Sequence, residues 1–387
     1  MKLFDTSPEL LESPANASKD RLPVGNSFGW DFESLQRYQA NHFRDLYVSE
    51  AVLEHEVQKV FGSSWLFVAV TDELPESGSF ITLTLLGVPM AIVNQGNGQL
   101  KCFRNICSHR GMTLLSGSGK LGTHITCQYH QWSFNRQGDL VRIPQPDQFF
   151  GVELSELSLG SVAVEVWHEM IFVRMSENGP DFLEWISEMQ GRLGAFLDGP
   201  LVEVGKVQYS VNCNWKFLVE NHLDVYHLWY LHAKSLNAFD HRSFEWESLG
   251  DNWWSYEPLK ASKNNLGGLP WIPDRDRVGI GAHLLFPNLM MVTTGDYFAT
   301  YDAYPISPNE TRITLRLRAE PGTDGETLIS MVRSFLAEDI AACEALQSST
   351  GYGGFGVGPL ASTHERPLRN FHRSLRRHSG KPAGKLA

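Results

Sequence analysis

His227 and His232, with Asp224 just ahead of them, lie in an apolar and aromatic run that reads NWKFLVENHLDVYHLWYLH over residues 214–232. Neutral imidazoles suit iron, zinc or copper, and a buried carboxylate beside them could fix a ring orientation. Taken alone, a histidine pair in an aromatic segment fits a packed core as well as a metal site. A second set well upstream shifts that balance. In CSHRGMTLLSGSGKLGTHITCQYH, Cys107 and His109 are separated by one residue, Cys127 and His130 by two, with seventeen residues between His109 and Cys127. Two thiolates and two imidazoles could hold one tetrahedral zinc, or a two-iron cluster with both histidines on one iron. The zinc-finger order, two cysteines followed by two histidines, is absent.

The elements that must position these groups follow from hydrophobic spacing. Val219, Leu223, Tyr226 and Tyr230 recur at helical intervals, which predicts a buried amphipathic helix through the run. On it Asp224 and His227, three apart, share a face. His232, five beyond His227, is rotated away by roughly 140° on a regular helix. Both rings reach one ion only if the helix bulges or breaks between them. Upstream, the two Cys/His pairs read as short loops at strand ends, with Gly111, Gly117, Gly119 and Gly122 letting the segment between them turn. His124 reads as a surface residue and Cys102 as a small core residue.

Composition bounds the rest. The chain has 387 residues, 42% hydrophobic, enough for a large core and more than one typical domain. Its net charge of −11 argues against nucleic acid or an anionic membrane surface as partner. No secretory leader pattern is read at the N-terminus and no apolar run is long enough to span a bilayer. Five cysteines, an odd and sparse set, point to reduced thiols and metal ligands, with cytoplasm the expected compartment.

In chain order, Pro8, Pro14 and Pro23 predict an extended or loosely attached start, followed by a helix over 49–60 and a strand over 65–70. Residues 80–93 and 100–105 read as strands joined at Gln95-Gly96-Asn97-Gly98, opening an all-β region that runs to about residue 175. A helix is expected over 183–197, a strand over 207–211, and an irregular stretch over 237–276, either a covering loop or a surface connection. Strands over 280–291, 297–304 and 312–319 precede a helix over 328–347. From Arg366 onward seven Lys or Arg and no acid read as a solvated tail. The glycines of 351–358 follow no strand–helix pattern, and no flavin or nicotinamide fingerprint is present. Phe217, Trp229, His283, Met291, Asp296 and Tyr297 are the expected pocket residues, and the 11 tryptophans could cage a quaternary ammonium, although aromatic residues are more often core.

Cys107-Ser108-His109-Arg110-Gly111 and Cys127-Gln128-Tyr129-His130, followed by Trp132, Phe134, Gly138, Leu140 and Ile143-Pro144, resemble the Rieske motif. Asn214-Trp215-Lys216, Glu220-Asn221 and Asp224-x-x-His227-x4-His232 resemble the catalytic domain of Rieske non-heme iron oxygenases. Both motifs stand in the family's order, and the resemblance covers nearly the whole chain. One departure is Gln131, where the family usually has glycine.

The resemblance implies an α+β fold: a small all-β Rieske [2Fe–2S] domain over 46–165 and a larger catalytic domain over 166–387, an antiparallel sheet flanked by helices. Residues 1–45 would be an N-terminal segment packing on the catalytic domain. It further implies Cys107, His109, Cys127 and His130 as cluster ligands, and His227, His232 and a carboxylate as ligands of a mononuclear Fe(II). Glu338, Asp339 and Glu344 on the late helix are the carboxylate candidates; the family places the ligand five residues before a glutamate, which matches Asp339 against Glu344. Asp224 would bridge His227 to His130 of a neighbouring subunit in a homotrimer. Electrons from NAD(P)H would come through a separate flavin/iron–sulfur reductase or ferredoxin and, with O2, hydroxylate a small organic substrate. Monooxygenation, demethylation and cis-dihydroxylation of a ring remain open at this point, as do a zinc-stapled binding protein and a pure electron carrier.

Overall fold

The computed structural model describes residues 27–151, 153–261, 268–352 and 356–380. The proline-rich start, and Lys381 and Lys385 of the basic run, lie outside the described residues, as does part of the glycine-rich 351–358 segment.

Three short helices come first: α1 (Phe32–Arg37), α2 (Asp45–Val48) and α3 (Glu50–Glu56), the last widening into one turn of π-helix over Val57–Phe61. Ten strands follow: β1 (Leu66–Val70), β2 (Ser79–Leu85), β3 (Val88–Gly96), β4 (Gln99–Arg104), β5 (Ser118–Lys120), β6 (His124–Thr126), β7 (Ser133–Asn135), β8 (Leu140–Arg142), β9 (Ser161–Trp167) and β10 (Met170–Arg174). Seven of them form one antiparallel sheet in the order β1-β10-β9-β4-β3-β2-β5, and β6-β7-β8 form a small second sheet. The apolar stretch over 80–93 is two strands, reversed at Leu86-Gly87, both at positive φ (49° and 83°). Asn97 and Gly98 repeat that turn geometry (53° and 74°), as the Asn-Gly dipeptide requires of a tight hairpin.

The rest of the chain builds on a second seven-stranded antiparallel sheet. Helix α4 (Phe182–Leu197), capped by Asp181, leads into β11 (Val202–Val211) and α5 (Trp215–Leu223). Then come β12 (Glu245–Leu249), β13 (Asn252–Pro258), α6 (Asp274–Arg277), β14 (Gly279–Leu285), β15 (Leu289–Thr294), β16 (Tyr297–Ser307), β17 (Glu310–Ala319), α7 (Gly325–Thr350) and α8 (Arg366–His378). The sheet order is β11-β17-β16-β15-β14-β13-β12. Helices α5 and α7 pack against each other and on this sheet.

Four further expectations are corrected. The stretch over 237–276 is not an irregular loop, because β12 and β13 form the hairpin at the sheet's edge; its residues 262–267 lie outside the described set. The single strand expected over 280–291 is two strands, its apolar run continuing straight through the turn at 286–288 and hiding the reversal. The basic run from Arg366 is not a solvated tail: Leu368, Phe371 and Leu375 recur at helical spacing and are buried, leaving Arg366, Arg369, Arg373 and Arg377 on the outer face of α8. Helix α5 stops at Leu223 instead of running through residue 232, and Tyr226 and Tyr230 are exposed, not buried.

Helix α5 is fixed by buried polar contacts. Asn214 caps it, accepting from Lys216 N at 3.1 Å, and donates to the carbonyls of Tyr47 (3.0 Å) and Pro308 (3.1 Å). Lys216 Nζ meets both carboxylate oxygens of Glu56 at 2.7 and 2.9 Å, and Trp215 Nε1 donates to the same group at 2.9 Å. Burial pushes the Glu56 carboxyl up and the Lys216 ammonium down, while their mutual attraction works against both shifts. One turn on, Glu220 accepts from Tyr47 Oη (2.8 Å) and lies 2.9 Å from His372 Nε2 of α8, whose Nδ1 accepts from Trp30 Nε1 at 2.9 Å. The early helices, α5 and α8 are thus one hydrogen-bonded unit.

Removing one member of a buried pair leaves the other without a partner and costs about 3–5 kcal/mol, whereas removing both charges costs much less. Lys216→Met is therefore expected to lower the unfolding midpoint strongly, and Glu56→Gln with Lys216→Met to recover most of the loss. A double-mutant cycle by chemical denaturation reads the difference; equal losses in the single and double variants would refute it.

Candidate metal centres

Cys107 and His109 lie on the loop after β4, Cys127 and His130 on the loop between β6 and β7. The two loops share one backbone plan. Cys107 N donates to Met112 O (2.8 Å) and Gly111 N to Cys107 O (2.9 Å); Cys127 N donates to Trp132 O (2.8 Å) and Gln131 N to Cys127 O (2.9 Å). The fourth residue after each cysteine must turn left-handed: Gly111 at φ 76°, Gln131 at φ 60°. Glycine takes this conformation freely, and glutamine at a cost of roughly 1–2 kcal/mol. Both cysteine side chains are buried. The His109 and His130 rings stand 4.7 Å apart between centroids, and His109 stacks on Trp132 at 4.6 Å. His109 Nδ1 is buried with no hydrogen-bond partner among the described residues.

The donor set fits a cluster. Burial pushes the Cys107 thiol up and holds His109 below the usual imidazole range. Neutral imidazoles are what a metal needs, and apposed buried thiols ionise only against a positive centre. Cys102 is a buried core residue and His124 is exposed.

The second centre depends on a break in the chain at Asp224. Its backbone leaves α5 extended (φ −86°, ψ 108°), its N–H still bonds Glu220 O at 2.9 Å, and its Oδ1 accepts from Tyr226 N at 2.7 Å. That side-chain turn competes with helix continuation and starts a single 3₁₀ turn, Tyr226–Trp229. The break thus lies before His227 as well as between the histidines, and Asp224 and His227 do not share a helical face. Asp339 comes from α7. His232 Nε2 lies 2.8 Å and His227 Nε2 3.4 Å from the same atom, Asp339 Oδ1, and one donor atom from each of the three residues falls within 4.8 Å of the others.

Around these atoms a second layer fixes the rings. His232 Nδ1 lies 2.7 Å from Glu338 Oε2, which also accepts from Ser235 Oγ at 2.8 Å. Asp224 Oδ2 stands 3.6 Å from His227 Nδ1, beyond a hydrogen bond, and that nitrogen is buried and unpartnered among the described residues. Burial opposes charge on His227, but the Asp224 and Asp339 carboxylates outweigh it and push the ring up to about 9. The same opposition, with Asp339 and Glu338 prevailing, raises His232, while the two rings hold Asp339 below the usual carboxylate range. The same Asp339 charge that favours charge on both rings would favour a divalent cation where the three donor atoms meet, with both rings neutral. Of the other carboxylate candidates, Glu338 faces the far nitrogen of His232, and Glu344 accepts from Asn212 N (2.9 Å) and Nδ2 (3.0 Å).

A cavity of about 960 Å³, counting the space at its mouth, opens on the three groups. None of the six residues expected from sequence lines it. The lining alternates along the strands, so Met290 and Val292 face it and Met291 does not, and Ile280 and Ala282 face it and His283 does not. Tyr301, His241 and Glu257 line it and were not anticipated; the only sequence signal for Tyr301 and Glu257 is strand alternation, which fixes no face by itself, and His241, in a short turn before β12, has none.

Residues 64–166 match the Rieske [2Fe–2S] domain family, and residues 199–381 the family described as ring hydroxylating alpha subunit, catalytic domain. The chain is 27% identical over 347 residues to chloroplastic choline monooxygenase of Arabidopsis thaliana, covering 84% of this chain and 80% of that one. It is 29% identical over 323 residues to the carnitine monooxygenase oxygenase subunit of Acinetobacter pittii, covering 80% and 86%. In fold it resembles a quaternary ammonium Rieske monooxygenase, described for carnitine oxidation and inter-subunit electron transfer, with a TM-score of 0.74, 22% identity, and 87% and 94% of the two chains covered.

Relief of the left-handed strain at residue 131 outweighs the extra backbone freedom glycine gives the unfolded chain, about 0.4–1 kcal/mol. Gln131→Gly is therefore expected to stabilise the small domain by up to about 1 kcal/mol. Differential scanning calorimetry should show a higher midpoint, and a lower one would mean that the Gln131 side chain contributes more than its backbone costs.

Proposed function

Because the chain belongs to the Rieske non-heme iron oxygenases as an oxygenase catalytic subunit, we propose that His227, His232 and Asp339 hold its mononuclear iron and that it monooxygenates a small quaternary ammonium substrate. The observation that carries the metal assignment is the meeting of two imidazole nitrogens on one Asp339 oxygen at the wall of the cavity. Two histidines and one carboxylate on one side of an ion leave the other side open, the arrangement suited to Fe(II) and O2. Bound there, iron supplies reductive activation of dioxygen, fed by a cluster held by Cys107, His109, Cys127 and His130. The overall balance is one substrate C–H, O2, two electrons and two protons giving C–OH and water. The relatives matched along most of their length are monooxygenases of choline and carnitine, which favours monooxygenation of a compact ammonium compound over ring dihydroxylation.

The chain's own residues have distinct tasks. Glu338 and Ser235 fix the His232 ring through its Nδ1. The apolar wall, including Leu218, Val225, Ile280 and Phe335, excludes water from the reacting carbon. Asp224, in the proposed arrangement, accepts an N–H from His227 of its own chain and from His130 of a second copy. Its side chain is about one-fifth exposed, and Tyr226 and Tyr230 beside it are exposed at 45% and 71%. On the other side of such a contact, Tyr129 is 56% exposed next to the half-buried His130. These features support a ring of copies, a homotrimer in this reading, in which the cluster of one chain serves the iron of the next. The electron donor would be a separate reductase or ferredoxin, and the compartment cytoplasmic.

His227→Ala, His232→Ala and Asp339→Ala are each expected to lose the mononuclear iron and turnover while the cluster's visible and EPR spectra stay intact. Iron and acid-labile sulfide analysis reads both centres; iron retained in Asp339→Ala and lost in Glu338→Ala would move the ligand assignment. Asp224→Asn is expected to keep both centres and the oligomer but to stall electron delivery, since asparagine lacks the charge and accepts at one end only. A single turnover of pre-reduced protein with substrate and O2 measures it, and cluster reoxidation at the wild-type rate would refute the bridge.

A further inference from the structure

The cavity holds a second polar group that the iron site does not use. Glu257 on β13 is 4% exposed, and its Oε2 is hydrogen-bonded to Nδ1 of His241, itself 6% exposed. The position is built. Glu257 is paired in register with Ile280 of β14, and Asp240 N donates to Pro258 O at 2.8 Å, locking the turn that carries His241 against β13. The His241 ring lies edge-on to Trp229, with centroids 5.3 Å apart.

A carboxylate can accept about four hydrogen bonds, and His241 is the one side-chain partner of Glu257 among the described residues. Buried in an apolar wall, a carboxylate so sparsely bonded is stabilised by a cation. Beyond its imidazoles, the wall supplies none: its described residues include three acids, Asp224, Glu257 and Asp339, and no lysine or arginine. Asp224 and Asp339 face the histidines of the proposed iron site, whereas Glu257 meets His241 through one of its two oxygens and has no other side-chain partner among the described residues. An independent observation points to a ligand in the same space. Tyr301 is 6% exposed, lines the cavity, and has a buried hydroxyl with no hydrogen-bond partner among the described residues. Burial raises that hydroxyl well above the usual phenol range, so it remains a donor.

We propose that Glu257, held in place by His241, seats the cationic head of the substrate and that Tyr301 donates to its neutral oxygen. Resting on the ammonium reading above, this narrows the substrate class to a small alkylammonium carrying a hydroxyl or similar oxygen and no carboxylate. An anionic end would meet three acids and find no lysine or arginine in the described wall. Glu257 and Tyr301 are specificity residues that bind the substrate, and His241 is a positioning residue.

Calorimetric titration of the oxidised holoenzyme, which does not turn over, tests this with choline and its uncharged tert-butyl isostere, in which carbon replaces nitrogen. The wild type is expected to prefer choline by about tenfold or more, and Glu257→Gln to reduce the preference to about twofold, with iron content and cluster spectrum unchanged. Preference retained in Glu257→Gln overturns the seat and leaves the ammonium reading standing. A wild type that binds both ligands alike overturns both. Where Glu257→Gln does not fold, His241→Gln, which keeps the carboxylate but removes the ring that holds it, is expected to lower the preference several-fold, and preference fully retained there overturns the seat held by His241. Tyr301→Phe is expected to weaken choline several-fold while leaving tetramethylammonium, which has no hydroxyl, unaffected; equal weakening of both overturns the role of Tyr301.

Discussion

The fully buried Lys216–Glu56 pair, joined by Trp215 and flanked by Glu220, sets where α5 begins and how it is rotated. Everything downstream depends on that rotation, because α5 stops within three turns and hands the chain to Asp224. Buried charges are poor sources of stability in themselves, since desolvation offsets most of their attraction. What they impose is a single arrangement: a slipped or rotated α5 would leave an ammonium or a carboxylate in apolar surroundings without a partner. A helix held only by apolar contacts could shift by one residue at little cost, and the histidines beyond it would then miss Asp339.

The two metal centres are made in opposite ways. At the first, backbone does most of the work: two loops with matching main-chain bonds present their side chains at one tip, and the ligands are local in sequence. At the second, side chains from a broken helix and from α7 converge, and their register depends on packing between remote elements. Electrostatics follows the same division. Thiols and imidazoles at the tip carry no fixed negative charge until a metal binds, whereas Asp339 and the nearby carboxylates impose negative potential on the cavity throughout.

What could be read from sequence divides along these lines. The Cys/His loops, the two-part α+β fold and the preference for Asp339 among three carboxylates rest on local spacing and family resemblance, and these carry their meaning in a few adjacent residues. The break at Asp224 was not legible, because Val219, Leu223, Tyr226 and Tyr230 keep helical spacing while aspartate's side-chain turn decides the conformation. The reversal at 286–288 and the face of β15 were hidden by a continuous apolar run: with both sides of a strand buried, alternation no longer says which side meets the cavity. Helix α8 was obscured by its arginines, although Leu368, Phe371 and Leu375 marked its inner face. Glu257 and His241 stand sixteen residues apart and give no motif at all.

The closure of the first sheet by β10 bears on biosynthesis. Every strand pairing of that sheet, and the four proposed cluster ligands, fall between Leu66 and Arg174, so its strand ladder requires nothing encoded later, while β1 is tied to the second sheet through Tyr304 Oη, which donates to Phe67 O at 2.6 Å. The nascent chain carries every strand of this sheet while α5, α7 and α8 are still untranslated. The proposed mononuclear site must wait for Asp339, and the Glu220–His372 contact that secures α5 waits longer still. The ladder around the proposed cluster loops can therefore close before the proposed iron site exists, whereas the apolar residues of β1 and β10 stay uncovered until α4 and the second sheet arrive.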